Sequence, residues 1–331
     1  MKKMFFEGLQ EYLVNKNIEV YEVLTCKDKE KAKYKLVPVS GNIKESSEIF
    51  YFNNADVLLK HLYKNSINEE TIGGVGNAVD PFLNKTVSGA ELIKAMAKKM
   101  LGQEEPKTLG DPGGHGIAFE YKPEKSALKI TDDKLEAKNS IELIGKQNNR
   151  LVNIYKVYII KYGNETPQIW YGIIMEYFKD VKLINYLGNN EIWGDIQSIE
   201  MPMPIAHRKI KKVIEDKDVV EQIKNAFINF DEDMKDNKKL ISKIINSSKV
   251  KSIDKIKEIR GKMFDMLVEI SQNGFRTNDY TESRNIGIKS SNNKIGFFDL
   301  GGDNTGDDKS QNDIFSNTKA KEYKITNPLI K

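Results

Sequence analysis

Between residues 117 and 178 the chain reads strand, strand, helix, strand, strand, and no other stretch limits its fold so tightly. Ile117-Ala118-Phe119-Glu120-Tyr121 and Ser126-Ala127-Leu128-Lys129-Ile130 are two short apolar-rich runs. Pro123 and Glu124 mark a turn between them, which predicts a hairpin. Asp132 or Asp133 then caps a helix running to about Lys146. Apolar runs at 150–161 and 167–178, split by the turn Tyr162-Gly163-Asn164-Glu165, predict two more strands.

Beyond residue 180 the pattern turns helical. Segments 182–188, 217–230, 235–247 and 252–273 carry helical periodicity, clearest in the stripe Ile256, Ile259, Met263, Met266, Leu267 and Ile270. Upstream, residues 4–15 form an amphipathic pattern, 18–25 and 33–39 alternate as strands, and 54–63 and 88–101 read as helices. Ser88 with Glu91 suits a helix start. The polar stretch from Gly102 to Lys107, with Pro106, marks a boundary. The expected division is therefore an accessory region 1–106, a strand-rich region 107–178 and a helical region 179–331.

Composition closes several classes. Cys26 is the only cysteine, so no disulfide forms within the chain and a cysteine-based zinc site is excluded. The lone thiol fits a reducing compartment. His61, His115 and His207 lack metal-site spacing. No apolar run reaches transmembrane length, and Glu7 and Glu11 interrupt the start, so no signal peptide is expected. A cytoplasmic protein is expected, or one acting in a host cytosol if it is a secreted effector. The net charge of +4 leaves polyanions open as partners without pointing to one.

The chemistry concentrates near the C-terminal end. Asp279 and Asn285 precede the apolar strand Ile286-Gly287-Ile288. A turn follows, then Ile295-Gly296-Phe297-Phe298 and Asp299-Leu300-Gly301. One candidate base and two candidate oxygen ligands for magnesium thus sit at strand ends, as phosphoryl transfer requires.

With these motifs in order, residues 108–305 resemble the protein kinase superfamily. The resemblance implies an α+β, bilobal kinase-like fold. It would have an antiparallel β N-lobe, a mainly helical and shortened C-lobe, and an N-terminal extension. It implies ATP and Mg2+ or Mn2+ as cofactors. Gly113, Gly114 and Gly116 fall at the glycine-rich loop, where backbone must approach phosphates closely. The run Ile72-Gly73-Gly74-Val75-Gly76-Asn77 is equally glycine-rich but leads to Lys94 on a helical pattern, so it is set aside. Ala127-Leu128-Lys129 resembles the signature of the third kinase strand, with Lys129 holding phosphates. Glu136 or Glu142 would pair with it, Glu136 being preferred. Met175, Glu176 and Tyr177 fall at the hinge, with Met175 as gatekeeper and adenine bonded to the backbone of 176–178. Asp279 would orient the acceptor hydroxyl, and Asn285 and Asp299 would bind the metal.

The chain also departs from that pattern. Thr277 and Asn278 replace the His and Arg of the catalytic loop, and the interval from Asp279 to Asn285 is one residue longer than usual. Only thirty residues follow Gly301, too few for the late substrate-docking helices of eukaryotic kinases. The expectation is an atypical Ser/Thr kinase-like phosphotransferase acting on a protein or small-molecule acceptor. The alternatives are a small-molecule kinase of aminoglycoside or choline kinase type, a pseudokinase, or a nucleotidyl transferase on the same fold. The lysine-rich interval 208–257 reads as a solvated face, or as a site for an inositol phosphate or anionic lipid.

Overall fold

A computed structural model of the chain describes residues 18–26, 32–38, 50–63, 72–73, 77–80, 85–110, 115–162, 168–275 and 279–301. The helix expected at 4–15, the residues Gly113, Gly114, Thr277 and Asn278, and the polar segment after Gly301 lie outside the described residues.

The fold is α+β. The first part runs β1 (Ile18–Thr25), β2 (Tyr34–Pro38), β3 (Phe50–Phe52), α1 (Ala55–Tyr63), β4 (Ile72–Gly73), β5 (Asn77–Asp80), β6 (Lys85–Ser88) and α2 (Gly89–Leu101). It continues through β7 (Gly116–Lys122), β8 (Ser126–Thr131), α3 (Lys134–Leu143), β9 (Ile154–Tyr162) and β10 (Gln168–Glu176). Seven of these strands make one antiparallel sheet in the order β3-β2-β1-β9-β10-β8-β7. The boundary expected near residue 106 falls between α2 and β7, and the sheet runs across it. β4, β5 and β6 form a small separate sheet.

Both faces of the large sheet are covered, which explains the unbroken apolar run of β10. Ala127, Val157, Ile159, Tyr171, Ile173 and Met175 pack with Ala137 and Ile141 of α3 and with Leu58 and Leu59 of α1. The alternate residues Leu128, Ile130, Tyr158, Ile160, Trp170 and Ile174 pack against Ile93, Met96, Ala97 and Met100 of α2. The period of two along a strand sorts the side chains between these two layers.

Downstream come β11 (Phe178–Lys179), α4 (Ile184–Leu187), α5 (Ile192–Gln197), α6 (Met203–Val213), α7 (Lys217–Ile228), α8 (Lys235–Ser247) and α9 (Ile253–Gln272). β12 (Ile286–Lys289) and β13 (Ile295–Phe297) then form a hairpin that pairs with β11. The helix expected over 182–188 is present only as the single turn of α4, Ile184–Leu187, after an irregular 3-10 entry at Val181–Leu183. The Asp180 carboxylate accepts the N–H groups of Asn185 and Tyr186 at 2.8 and 2.9 Å, which folds the chain back at once. α6 lies outside the segments where helices were expected. Pro202 is its N-cap and Pro204 lies in its first turn, where a missing N–H costs nothing. Among the described residues, no helix is long and apolar enough to cross a membrane.

Arg260 of α9 holds the helices together from inside. It is fully buried. Its guanidinium donates to the carbonyls of Phe227 at 2.6 Å, Ile196 at 2.8 Å and Met201 at 3.2 Å, and lies 4.0 Å from the Phe227 ring centre. Phe227 and Ile196 are in the last turns of α7 and α5, where carbonyls lack intrahelical partners. The cation thus satisfies two helix C-termini, and the helix dipoles favour it there. Arg260→Leu is expected to cost roughly 3 kcal/mol, because it leaves these carbonyls unpaired in the core. A urea midpoint unchanged in the variant would contradict this.

Candidate active site

Lys129 follows Ala127 by two residues on β8, so it emerges on the α3 face of the sheet. The α3 helix begins immediately after that strand. Asp133 caps it, its carboxylate accepting from the N–H groups of Leu135 at 2.7 Å and Glu136 at 3.1 Å. Its own N–H donates to Thr131 Oγ1 at 3.1 Å. This short connection places Glu136 in the first turn, opposite the lysine. Lys129 Nζ lies 2.6 Å from Glu136 Oε1 and 3.2 Å from Asp299 Oδ1. A strand, the helix that follows it and a segment 170 positions downstream of Lys129 therefore meet at one ammonium.

Asp299 arrives from the end of β13. Asn139 of α3 donates to the Leu300 carbonyl at 2.7 Å, which moors the Asp-Leu-Gly segment on the helix. Gly301 is required here on steric grounds. A Cβ at that position would collide with Asp133 Oδ2 and lie 3.2 Å from Asp299 Oδ1. Its N–H donates to Asp299 Oδ1 at 3.2 Å. Gly116 is demanded in a similar way, since a Cβ there would sit 2.5 Å from the Ile130 carbonyl.

Three carboxylates, Asp133, Glu136 and Asp299, gather around one lysine. Burial pushes Glu136 upward, and Asp299 and Asp133 add to this against the pull of Lys129. Burial likewise raises Asp133. For Asp299, burial opposes ionisation, but Lys129, the Gly301 N–H and Arg284 prevail and hold it below the usual carboxylate range. Burial disfavours the Lys129 ammonium, yet Asp299 and Glu136 outweigh it and raise that group. The cluster carries surplus negative charge, and Asp299 is its most acidic edge.

Asn285 and Asp279 sit next to this edge. The Phe298 N–H donates to the Asn285 carbonyl at 3.1 Å, so Asn285 is tied to the residue preceding Asp299. Asn285 Nδ2 donates to the Asp279 carbonyl at 3.2 Å, which turns the amide oxygen away from that bond. Asp279 opens a short 3-10 turn, Asp279–Thr281. The turn is anchored from α5 and α6: Gln197 Nε2 donates to the Thr281 carbonyl at 3.1 Å, and His207 Nδ1 lies 2.9 Å from Tyr280 Oη. Among the described residues, no group of three or more His, Cys, Asp or Glu side chains forms a metal cage. Asp299 offers a carboxylate and Asn285 an amide oxygen, donor types that magnesium takes where one or two protein ligands share the ion with phosphates and water.

His207 supplies a pH dependence. Burial, with Lys211 nearby, lowers its imidazole from 6.5 to about 4. The unfolded chain therefore binds a proton between those values that the folded chain refuses, and stability falls as pH drops through this window. The loss attributable to His207 between pH 7 and pH 4 is about 3 kcal/mol. His207→Asn is expected to flatten that part of the stability curve measured by urea unfolding. An equally steep acid limb in the variant would rule this out.

The glutamates separate clearly. Glu136 meets Lys129, whereas Glu142 binds Lys33 and Tyr34. Met175 is opposite Ala127 across the β10–β8 pair, and Ile173 is opposite Lys129, so Met175 lines the same face as the lysine one step along. The backbone expected to read adenine is partly engaged within the protein. Glu176 N–H donates to the Asn153 carbonyl, Tyr177 N–H to the Lys125 carbonyl, and the Tyr177 carbonyl accepts from Ser290 N–H. Of the lysines at 208–257, Lys238, Lys243, Lys255 and Lys257 pair with carboxylates, while Arg208, Lys209, Lys211 and Lys212 are exposed on α6.

Sequence reasoning missed the buried bracket beside the site. Lys289 Nζ and Glu176 Oε2 are 3.2 Å apart, and neither side chain is exposed. Lys289 also donates to the carbonyls of Asn148 and Leu151. Glu176 accepts from Asn153 Nδ2 at 2.8 Å and Ser291 N–H at 2.7 Å. The bracket joins the end of β10 to the β12–β13 hairpin, which separates Asn285 from Asp299. Compared with protein-family models and with curated proteins, the chain matches none.

Proposed function

We propose that the chain is an ATP-dependent phosphotransferase built on a protein kinase-like fold, of the atypical Ser/Thr type. The observation that carries this reading is the meeting of Lys129 with Glu136 at 2.6 Å and Asp299 at 3.2 Å, from a strand, a helix and a post-strand segment. The local order also supports it: strand, lysine strand and helix, then two strands, with the later hairpin bringing in the acid.

In this reading Lys129 contacts the α- and β-phosphates as a point charge, and its ion pair with Glu136 orients the ammonium. Asp299 and the amide oxygen of Asn285 would hold Mg2+ or Mn2+, which supplies charge neutralisation for the phosphates when bound. Asp279 orients the acceptor hydroxyl and takes its proton as the phosphoryl group leaves ADP. Because Tyr177 is engaged by Lys125 and Ser290, recognition of the nucleotide rests mainly on the phosphate half. No residue forms a covalent intermediate; the site acts by position and electrostatics.

The acceptor is a protein or small-molecule hydroxyl. Parallel reactions with α-labelled and γ-labelled ATP test the chemistry. Label transferred only from the γ position is the expected result. Transfer from the α position would replace phosphoryl transfer by nucleotidyl transfer, and no transfer or metal-dependent nucleotide binding would leave a binding module.

A further inference from the structure

The α3 helix carries Glu136 toward the site on one side, and its other side is gripped by the N-terminal strands. Lys138 and Glu142 are four residues apart, so they share a face. At ~100° per residue, Glu142 lies about 120° around the helix from Glu136. Both back-face residues reach residues of the N-terminal part. Lys138 Nζ is 2.6 Å from Asp56 Oδ1 at the start of α1. Glu142 Oε2 accepts from Lys33 Nζ at 2.6 Å and from Tyr34 Oη at 2.8 Å. The Ala55 N–H, in the first turn of α1, also reaches this carboxylate. Tyr34 is 1% exposed, so its hydroxyl is fixed by packing rather than free to seek water.

The N-terminal strands are themselves immobilised relative to the site. β1 pairs with β9 over six residues, from Ile18↔Tyr162 to Val23↔Val157, within the sheet that carries Lys129. Ala55, Leu58 and Leu59 are at most 2% exposed and belong to the same core as Ala137 and Ile141. The helix is thus held at its N-terminal end by the Asp133 cap and at its C-terminal end by Glu142. Rotation about its axis is opposed from the back.

We propose that Glu142 is a positioning residue: with Lys33, Tyr34 and the start of α1, it fixes the rotation of α3 and thereby keeps Glu136 on Lys129. The accessory region is then an internal brace of the active centre. This rests on the phosphotransferase reading for its catalytic consequence, but not for the mechanical one.

The test uses the full chain with Glu142→Ala, the gentler Tyr34→Phe, Glu136→Gln and the double variant Glu136→Gln/Glu142→Ala. Glu142→Ala is expected to lower kcat about 10- to 100-fold with little change in KM for ATP. In the Glu136→Gln background it should lower kcat no further, because its effect passes through Glu136. Hydrogen exchange over 134–143 should quicken in Glu142→Ala and, to a lesser degree, in Tyr34→Phe. Independent, multiplying losses of kcat in the double variant would overturn the proposal, as would unchanged exchange in α3. If Glu142→Ala fails to fold, Tyr34→Phe carries both readouts. Should the wild-type chain transfer no phosphate, the functional reading fails, and the exchange measurement alone still decides the brace.

Discussion

Asp299→Ala is expected to abolish the proposed phosphate transfer, by about a thousandfold or more, without unfolding the chain. The size follows from removing a carboxylate that would hold a metal against the transferring phosphoryl group. The stability result follows from the crowding of Asp133, Glu136 and Asp299 around the single ammonium of Lys129. The fold favours ionised Asp299 through Lys129, the Gly301 N–H and Arg284, so its loss costs some stability, which the relief of Glu136 partly offsets. Lys129→Met should abolish transfer to a similar degree, with a larger cost to the fold. It leaves Glu136 and Asp299 without their cation, so stability falls at neutral pH. Glu136 then binds a proton more readily, since burial already pushes it upward. Single-turnover transfer from γ-labelled ATP, with urea midpoints on the same samples, separates the two effects. Full transfer by both variants would sink the proposed function.

Lys289→Met is the most damaging single change expected in the core of the site. It strands the Glu176 carboxylate, whose side chain has no exposure, beside two carbonyls that lose their donor. Breaking one side of a buried ion pair costs about 3–5 kcal/mol. For a chain of this size, that is roughly 5 °C in melting temperature. Lys289→Met/Glu176→Gln should recover a good part of the loss, because no buried charge is then unpaired. Asn153 Nδ2 and the Ser291 N–H donate to opposite carboxylate oxygens, so the single amide oxygen keeps only one of them and the recovery is partial. Thermal unfolding of the two variants is the measurement. A double variant as unstable as the single one would mean that Lys289 acts through its bonds to the Asn148 and Leu151 carbonyls, not through its charge pair with Glu176.

Much of the fold was legible because local signals agreed with tertiary demand. The hairpin of β7 and β8, the helix after Asp133 and the two strands beyond it were all readable from apolar periodicity and turn residues. Of the two caps left open, only Asp133 receives the helix N–H groups; Asp132 instead faces His115 at 3.2 Å. The failures also have physical causes. α6 lay outside the expected helices; its prolines at 202 and 204 are tolerated because the first helical turn has no use for the missing donors. Nothing in the sequence singled out Lys289 or Arg260, because burial of a charge depends on partners that local periodicity does not reveal. Nothing local marks the carbonyls of Asn148, Leu151 or Phe227 as those partners.

The candidate site divides in the same way. Its residue types were visible in the sequence: Lys129 on an apolar strand, glutamates on the next helix, Asn285 before a strand and Asp299 after another. These depend on patterns of a few residues, and elementary spacing determines where such side chains point. Their assembly belongs to the tertiary structure. Lys129 meets Asp299 across 170 positions, and Glu136 rather than Glu142 faces it because the N-terminal strands occupy the other side of α3. Periodicity says which residues share a helix face. Only the packed neighbours decide which face turns toward the site.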